Sequence, residues 1–173
     1  SDLPETRDNY NTEISKKINH RDNLGYLLNH LNLINNGVEI GVQKGIFSKT
    51  ILEKWKGNKL YMVDCWEEQD NSIYIDGSNH NNDIQNKFMN MAIDNVKSYN
   101  DRYESIKKYS VDASKNFEDS SLDFIYIDAR HDYDGVFEDL EYWYPKVKSG
   151  GLISGHDYTK VDGIHTLNHF DSN

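Results

Sequence analysis

The stretch Gly37-Val38-Glu39-Ile40-Gly41-Val42-Gln43-Lys44-Gly45 constrains this chain more than any other. A short apolar run reaches Gly41, a second glycine follows at Gly45, and an amphipathic segment from Ile46 to Trp55 begins at once. The pattern predicts strand, tight turn and helix, since glycine tolerates positive φ and lets backbone approach a ligand closely. Taken alone, the unit serves equally as a plain βα turn in any α/β protein. The rest of the chain distinguishes the two.

Further short apolar runs follow the same plan. Lys59 to Val63 finishes in Asp64, and Leu122 to Ile127 finishes in Asp128. A weaker run, Tyr103 to Lys107, leads to Val111-Asp112-Ala113. After a turn at Ser149-Gly150-Gly151, Leu152 to Gly155 leads into His156-Asp157-Tyr158. Helical spacing separates these runs. Leu24, Leu27, Leu28, Leu31 and Ile34 predict a helix over residues 22–34, with Asp22 as its cap and Asn35-Asn36-Gly37 as its stop. Ile51, Leu52 and Trp55 mark the inner face of the second helix. Ile84, Phe88, Met91, Ile93 and Val96 mark a third, over residues 83–99, and Val136, Phe137, Leu140 and Trp143 a fourth, over residues 134–146. Residues 67–82, rich in Asn, Asp and Ser, read as a loop able to cover a site.

Strands alternating with helices predict an α/β fold, a Rossmann-like three-layer sandwich around a mostly parallel sheet. The 173 residues fit one domain, here residues 22–173, behind a polar, partly flexible arm over residues 1–21.

Composition narrows the partners. A formal net charge of -10 argues against nucleic-acid binding through phosphate neutralisation, which needs clustered Lys and Arg. A single cysteine, Cys65, excludes an internal disulfide and a Cys-based zinc site, so a reducing, cytoplasmic compartment is expected. No apolar run approaches the roughly 20 residues of a membrane span, and no membrane partner is expected.

Parallel α/β sheets bind ligands beyond the carboxyl ends of their strands. The expected occupants there are Gly41, Asp64, Asp112, Asp128 and Asp157. Asp64, ending the second strand, is placed to accept hydrogen bonds from the ribose hydroxyls of an adenosine-containing ligand, or simply to close a turn. A dinucleotide fold wants G-x-G-x-x-G, and Gln43 stands where the middle glycine would admit a pyrophosphate. That disfavours an NAD-dependent oxidoreductase and favours a ligand without phosphates.

In order and spacing, Val38 to Gly45, Tyr61-Met62-Val63-Asp64, Asp123 to Tyr133 and Ser149 to Tyr158 together resemble the class I S-adenosylmethionine-dependent methyltransferases. Within that class the chain is most similar to the small-molecule group called methyltransferase family 24. The resemblance implies that Glu39, Gly41 and Gly45 lie beside the methionine part of S-adenosylmethionine, that Asp64 binds its ribose, and that Cys65 or Trp66 packs against its adenine. It implies that Asp112 accepts from the adenine amino group and that Asp128 faces the sulfonium and a small-molecule acceptor, such as a sugar or other hydroxylated metabolite. Such folds continue past the fifth strand with a helix and an antiparallel strand pair, which Thr159 to Asn173 is too short to supply. A second copy in a homo-oligomer is one way to cover the open sheet edge.

Two mechanisms stay open. In one, His131 or His156 is the general base for an acceptor hydroxyl, a role that suits a group titrating near neutrality. In the other, Asp128 and Asp157 hold Mg2+ or another divalent cation that lowers the pKa of that hydroxyl. Related enzymes commonly carry a further ligand beside the last carboxylate, where this chain has Tyr158. An S-adenosylmethionine-binding module without turnover is the alternative from another class.

Overall fold

The computed structural model describes residues 20–70, 72, 77, 79–128 and 133–155. The expected arm therefore lies almost wholly outside the described residues, as do His131, His156, Asp157 and the segment 159–173.

A single 3-10 turn, Arg21–Asn23, leads into helix α1, Leu24–His30. His20 caps the 3-10 turn, its ring accepting the Asp22 N–H, and Asn23 rather than Asp22 stands at the N-cap of α1. The helix is also shorter than the leucine spacing predicts. Asn32 takes a left-handed φ of 56°, and the Leu33 N–H returns to the Leu28 carbonyl at 2.8 Å, which closes a Schellman-type stop. In consequence Leu33 is buried, whereas Ile34, the last residue of the expected stripe, is exposed.

Strand β1, Asn36–Ile40, is followed by α2, Ile46–Lys54, and β2, Lys59–Asp64. Helix α3 spans Asn82–Val96, with Asn81 accepting the Ile84 N–H as its cap, and a 3-10 segment, Lys97–Arg102, delivers β3, Tyr103–Lys107. A short helix α4, Ser110–Ser114, precedes β4, Leu122–Ile127. Then come α5, Tyr133–Trp143, the 3-10 turn Tyr144–Lys146, and β5, Val147–Gly155.

All strand pairs are parallel, in the order β3-β2-β1-β4-β5, the Rossmann-like three-layer arrangement predicted. Alternate strand residues face opposite layers. Leu60, Met62, Phe124, Tyr126 and Leu152 pack with α1, α2 and α3. Val38, Ile40, Val63, Ile125, Ile127 and Ile153 pack with Ala113 of α4 and Trp143 of α5. Every residue of β4 is buried, as a central parallel strand covered on both faces requires.

Two expected helix faces and one expected turn need correction. In α3 the inner residues are Gln85, Ala92 and Val96, and Met91 points outward, because Gly45 of the neighbouring turn packs against Ala92. In α5 Phe137 is exposed while Asp139 is buried, accepting the Ser110 hydroxyl, to which the Trp143 indole also donates at 2.8 Å. The expected turn at Ser149-Gly150-Gly151 is instead an irregularity within β5, with Gly150 at φ 81° and the register to β4 shifting between Leu122 and Phe124.

Candidate functional site

The strand order turns at β1, with β2 on one side and β4 on the other, so the connections leaving β1 and β4 diverge to opposite layers and open a crevice at their carboxyl ends. Gly41 leaves β1 at φ 87°, its N–H bonded to the Val63 carbonyl at 2.9 Å. Gln43 follows at φ 50°, and Gly45 at φ 72° starts α2. A Cβ on Gly45 would lie 2.7 Å from the Ala92 Cα, so this glycine is required by both conformation and space.

Asp64 fastens this turn. Its Oδ2 accepts the Gln43 N–H at 2.8 Å and its Oδ1 accepts the Trp66 N–H at 2.9 Å. The Trp66 indole donates to the Gln43 carbonyl at 2.8 Å. A carboxylate has about four acceptor sites, so two backbone donors leave room for ligand hydroxyls. Trp66 departs from its expected place as an adenine shelf: it is 1% exposed, in the core beneath the turn. Cys65 is half-buried, its thiol pushed up in pKa by burial and by Asp64.

Glu39 points from β1 into the layer of α2, fully buried, and accepts the Ser48 hydroxyl of that helix. Burial pushes its carboxyl up to about 8; Asp128 and Asp64 add to the shift, while Ser48 and Arg21 oppose it. Next to it in register, on β4, stands Tyr126, and next to Tyr126, on β5, Ser154. Both hydroxyls are buried, and among the described residues Ser154 has no hydrogen-bond partner. Burial raises the pKa of the Tyr126 hydroxyl, and the Arg21 guanidinium, its polar neighbour, opposes that shift.

Asp128 ends β4 with its N–H on the Ile40 carbonyl at 2.7 Å, which fixes it across from Gly41. Its Oδ2 accepts from Arg21 at 3.4 Å. Arg21 belongs to the segment read from sequence as an arm, and nothing in its polar surroundings signals this contact across 107 residues. Asp112 does not stand at the end of β3. It sits in the first turn of α4, exposed, and pairs with Lys115 at 2.7 Å. The described structure thus gathers Glu39, Gly41, Gly45, Asp64 and Asp128 at one edge and leaves Asp112 outside that cluster of contacts. Among the described residues no group of three or more His, Cys, Asp or Glu could hold a metal.

A family model described as a methyltransferase domain, of family 24, matches residues 38–158, from β1 to just past β5. The chain belongs to this methyltransferase family. An uncharacterised protein of Sinorhizobium fredii is 24% identical over 128 residues, 69% of this chain; the methyltransferase chain spans only 13% of that relative's length. Among solved structures, the O-methyltransferase TomG from Streptomyces achromogenes, in complex with S-adenosylmethionine, matches with a TM-score of 0.56 at 15% identity, over 78% of this chain and 54% of that one. The spermidine synthase from Thermotoga maritima matches with a TM-score of 0.53 at 16% identity, over 78% of this chain and 42% of that one. At these identities the likeness is one of fold. No helix among the described residues is long and apolar enough to cross a membrane.

Proposed function

We propose that this domain binds S-adenosylmethionine across the carboxyl ends of β1, β2 and β4 and transfers its methyl group to a hydroxyl of a small molecule. The observation that carries the reading is the Gly41–Gly45 turn fastened to Asp64, with Gln43 in place of a middle glycine. The residues present suit this cofactor. Gly45 keeps the turn free of a side chain, Asp64 retains acceptor sites for hydroxyls, and Glu39 and Asp128 suit an ammonium. When bound, S-adenosylmethionine supplies an electrophilic methyl group.

The chain's own task is then to align an acceptor oxygen and remove its proton. Asp128, fixed at the end of β4, is assigned to orient that oxygen, and His131 or His156 to take the proton. In the metal reading Asp128 joins Asp157 on a divalent cation. Arg21 already brings positive charge to Asp128, and this favours the metal-free assignment. A reducing, cytoplasmic setting and a homo-oligomer covering the sheet edge belong to the same proposal.

The test is transfer of isotope-labelled methyl from S-adenosylmethionine to a panel of hydroxylated acceptors. Label in an acceptor, lost on Asp128→Ala, supports the assignment. Tight binding of the cofactor with no label in any acceptor supports the binding-module alternative instead.

A further inference from the structure

Arg21 is held at the site rather than draped over it. The turn that carries it is anchored from behind, where the Lys54 ammonium donates to the Asp22 carbonyl at 2.7 Å. Gly25 sits so close to α2 that a Cβ would meet the Trp55 nitrogen at 2.7 Å. From this base the guanidinium lies 5.1 Å from the centroid of Phe47, and the Phe47 ring packs on Tyr126 at 4.5 Å. Its hydrogen bond to Asp128 is long, at 3.4 Å, and uses one of five N–H donors in a planar fork suited to a carboxylate.

The surroundings ask for an anion as well as a cation. Asp64 and Asp128 both act electrostatically on the buried Glu39, so this edge carries negative charge that suits a ligand's ammonium but repels a carboxylate. The methionine end of S-adenosylmethionine carries both groups. Beneath Arg21 the Tyr126 hydroxyl is buried, with the guanidinium as its polar neighbour.

Resting on the cofactor reading above, we propose that Arg21 recognises the α-carboxylate of S-adenosylmethionine, with the ring of Phe47 setting the guanidinium's plane. Arg21 then selects for the intact amino-acid end of the cofactor, and Asp128 shares the same guanidinium.

The test is calorimetric titration with three ligands: S-adenosylhomocysteine, its decarboxylated analogue, and methylthioadenosine, which lacks the whole amino-acid end. The unaltered protein is expected to prefer S-adenosylhomocysteine over the decarboxylated analogue by about 10- to 100-fold, the range of a charge-assisted hydrogen bond. Arg21→Gln should reduce that preference to within about 3-fold while leaving methylthioadenosine affinity unchanged. Arg21→Lys, which keeps the charge that faces Asp128, should show an intermediate preference and carries the comparison if the Gln variant folds poorly. An unchanged preference in both variants, or an equal loss for all three ligands, overturns the inference. If the unaltered protein binds all three ligands without preference, the inference alone fails. If it binds none, the cofactor reading fails with it.

Discussion

The Asp64 carboxylate accepts the backbone N–H of Gln43 at 2.8 Å, so the end of β2 holds the turn that leaves β1. With the Trp66 N–H on the other oxygen, one side chain shapes both walls of the candidate site. Asp64→Ala removes two charge-assisted bonds at a half-buried position. The expected loss is about 1–3 kcal/mol of stability by urea unfolding, together with at least about tenfold weaker S-adenosylhomocysteine binding. Asp64→Asn keeps one acceptor and should fall between. Wild-type stability and affinity in the Ala variant would remove Asp64 from this role.

Gly45 and Gly150 separate conformational strain from crowding. Both have positive φ, but a Cβ on Gly45 meets Ala92 whereas nothing lies within 4 Å of one on Gly150. Gly150→Ala should cost about 1–2 kcal/mol, and Gly45→Ala about 2–4 kcal/mol. Equal losses in the two variants would contradict the close packing of α2 on α3.

Glu39 gives the site a pH signature. Its carboxyl is raised from an ordinary 4.5 to about 8, chiefly by burial. Between these values the folded protein keeps a proton that the unfolded chain has released, so rising pH favours unfolding. The Glu39 contribution is fully present below about pH 4.5 and is lost as pH rises through about 8, a total on the order of a few kcal/mol. Glu39→Gln should flatten that slope in urea unfolding at stepped pH. A ligand ammonium beside Glu39 should also drive proton release on binding near pH 7, read by calorimetry in buffers of different ionisation enthalpy; no release would separate Glu39 from the ammonium.

Much of this was legible in sequence because strand ends announce themselves. The expected bounds of the third strand are those of β3, and Asp64 and Asp128 stand where their apolar runs stop. Helix faces were less legible: α3 and α5 carry apolar residues on more than one side, and spacing alone cannot say that Met91 and Phe137 face water while Gln85 and Asp139 face inward. The length of α1 depended on one left-handed asparagine, Asn32, in a segment whose leucines suit a longer helix. Arg21 was invisible for a different reason, since its partners Asp128 and Phe47 are distant in the chain and their meeting is a product of the whole fold.

The ion pair between Arg21 and Asp128 also bears on metal dependence. With a guanidinium beside this carboxylate, methyl transfer should proceed unchanged in the presence of a chelator. Loss of activity on chelation, restored by Mg2+, would return Asp128 and Asp157 to the role of ligands.

The turn from Gly41 to Gly45, held by Asp64, is proposed to form an adenosyl site rather than a dinucleotide site. Calorimetric titration of the unaltered protein with S-adenosylmethionine, S-adenosylhomocysteine and NAD tests this most directly. Both adenosyl ligands are expected to bind saturably and NAD not at all. Binding of NAD with no response to either adenosyl ligand would contradict it.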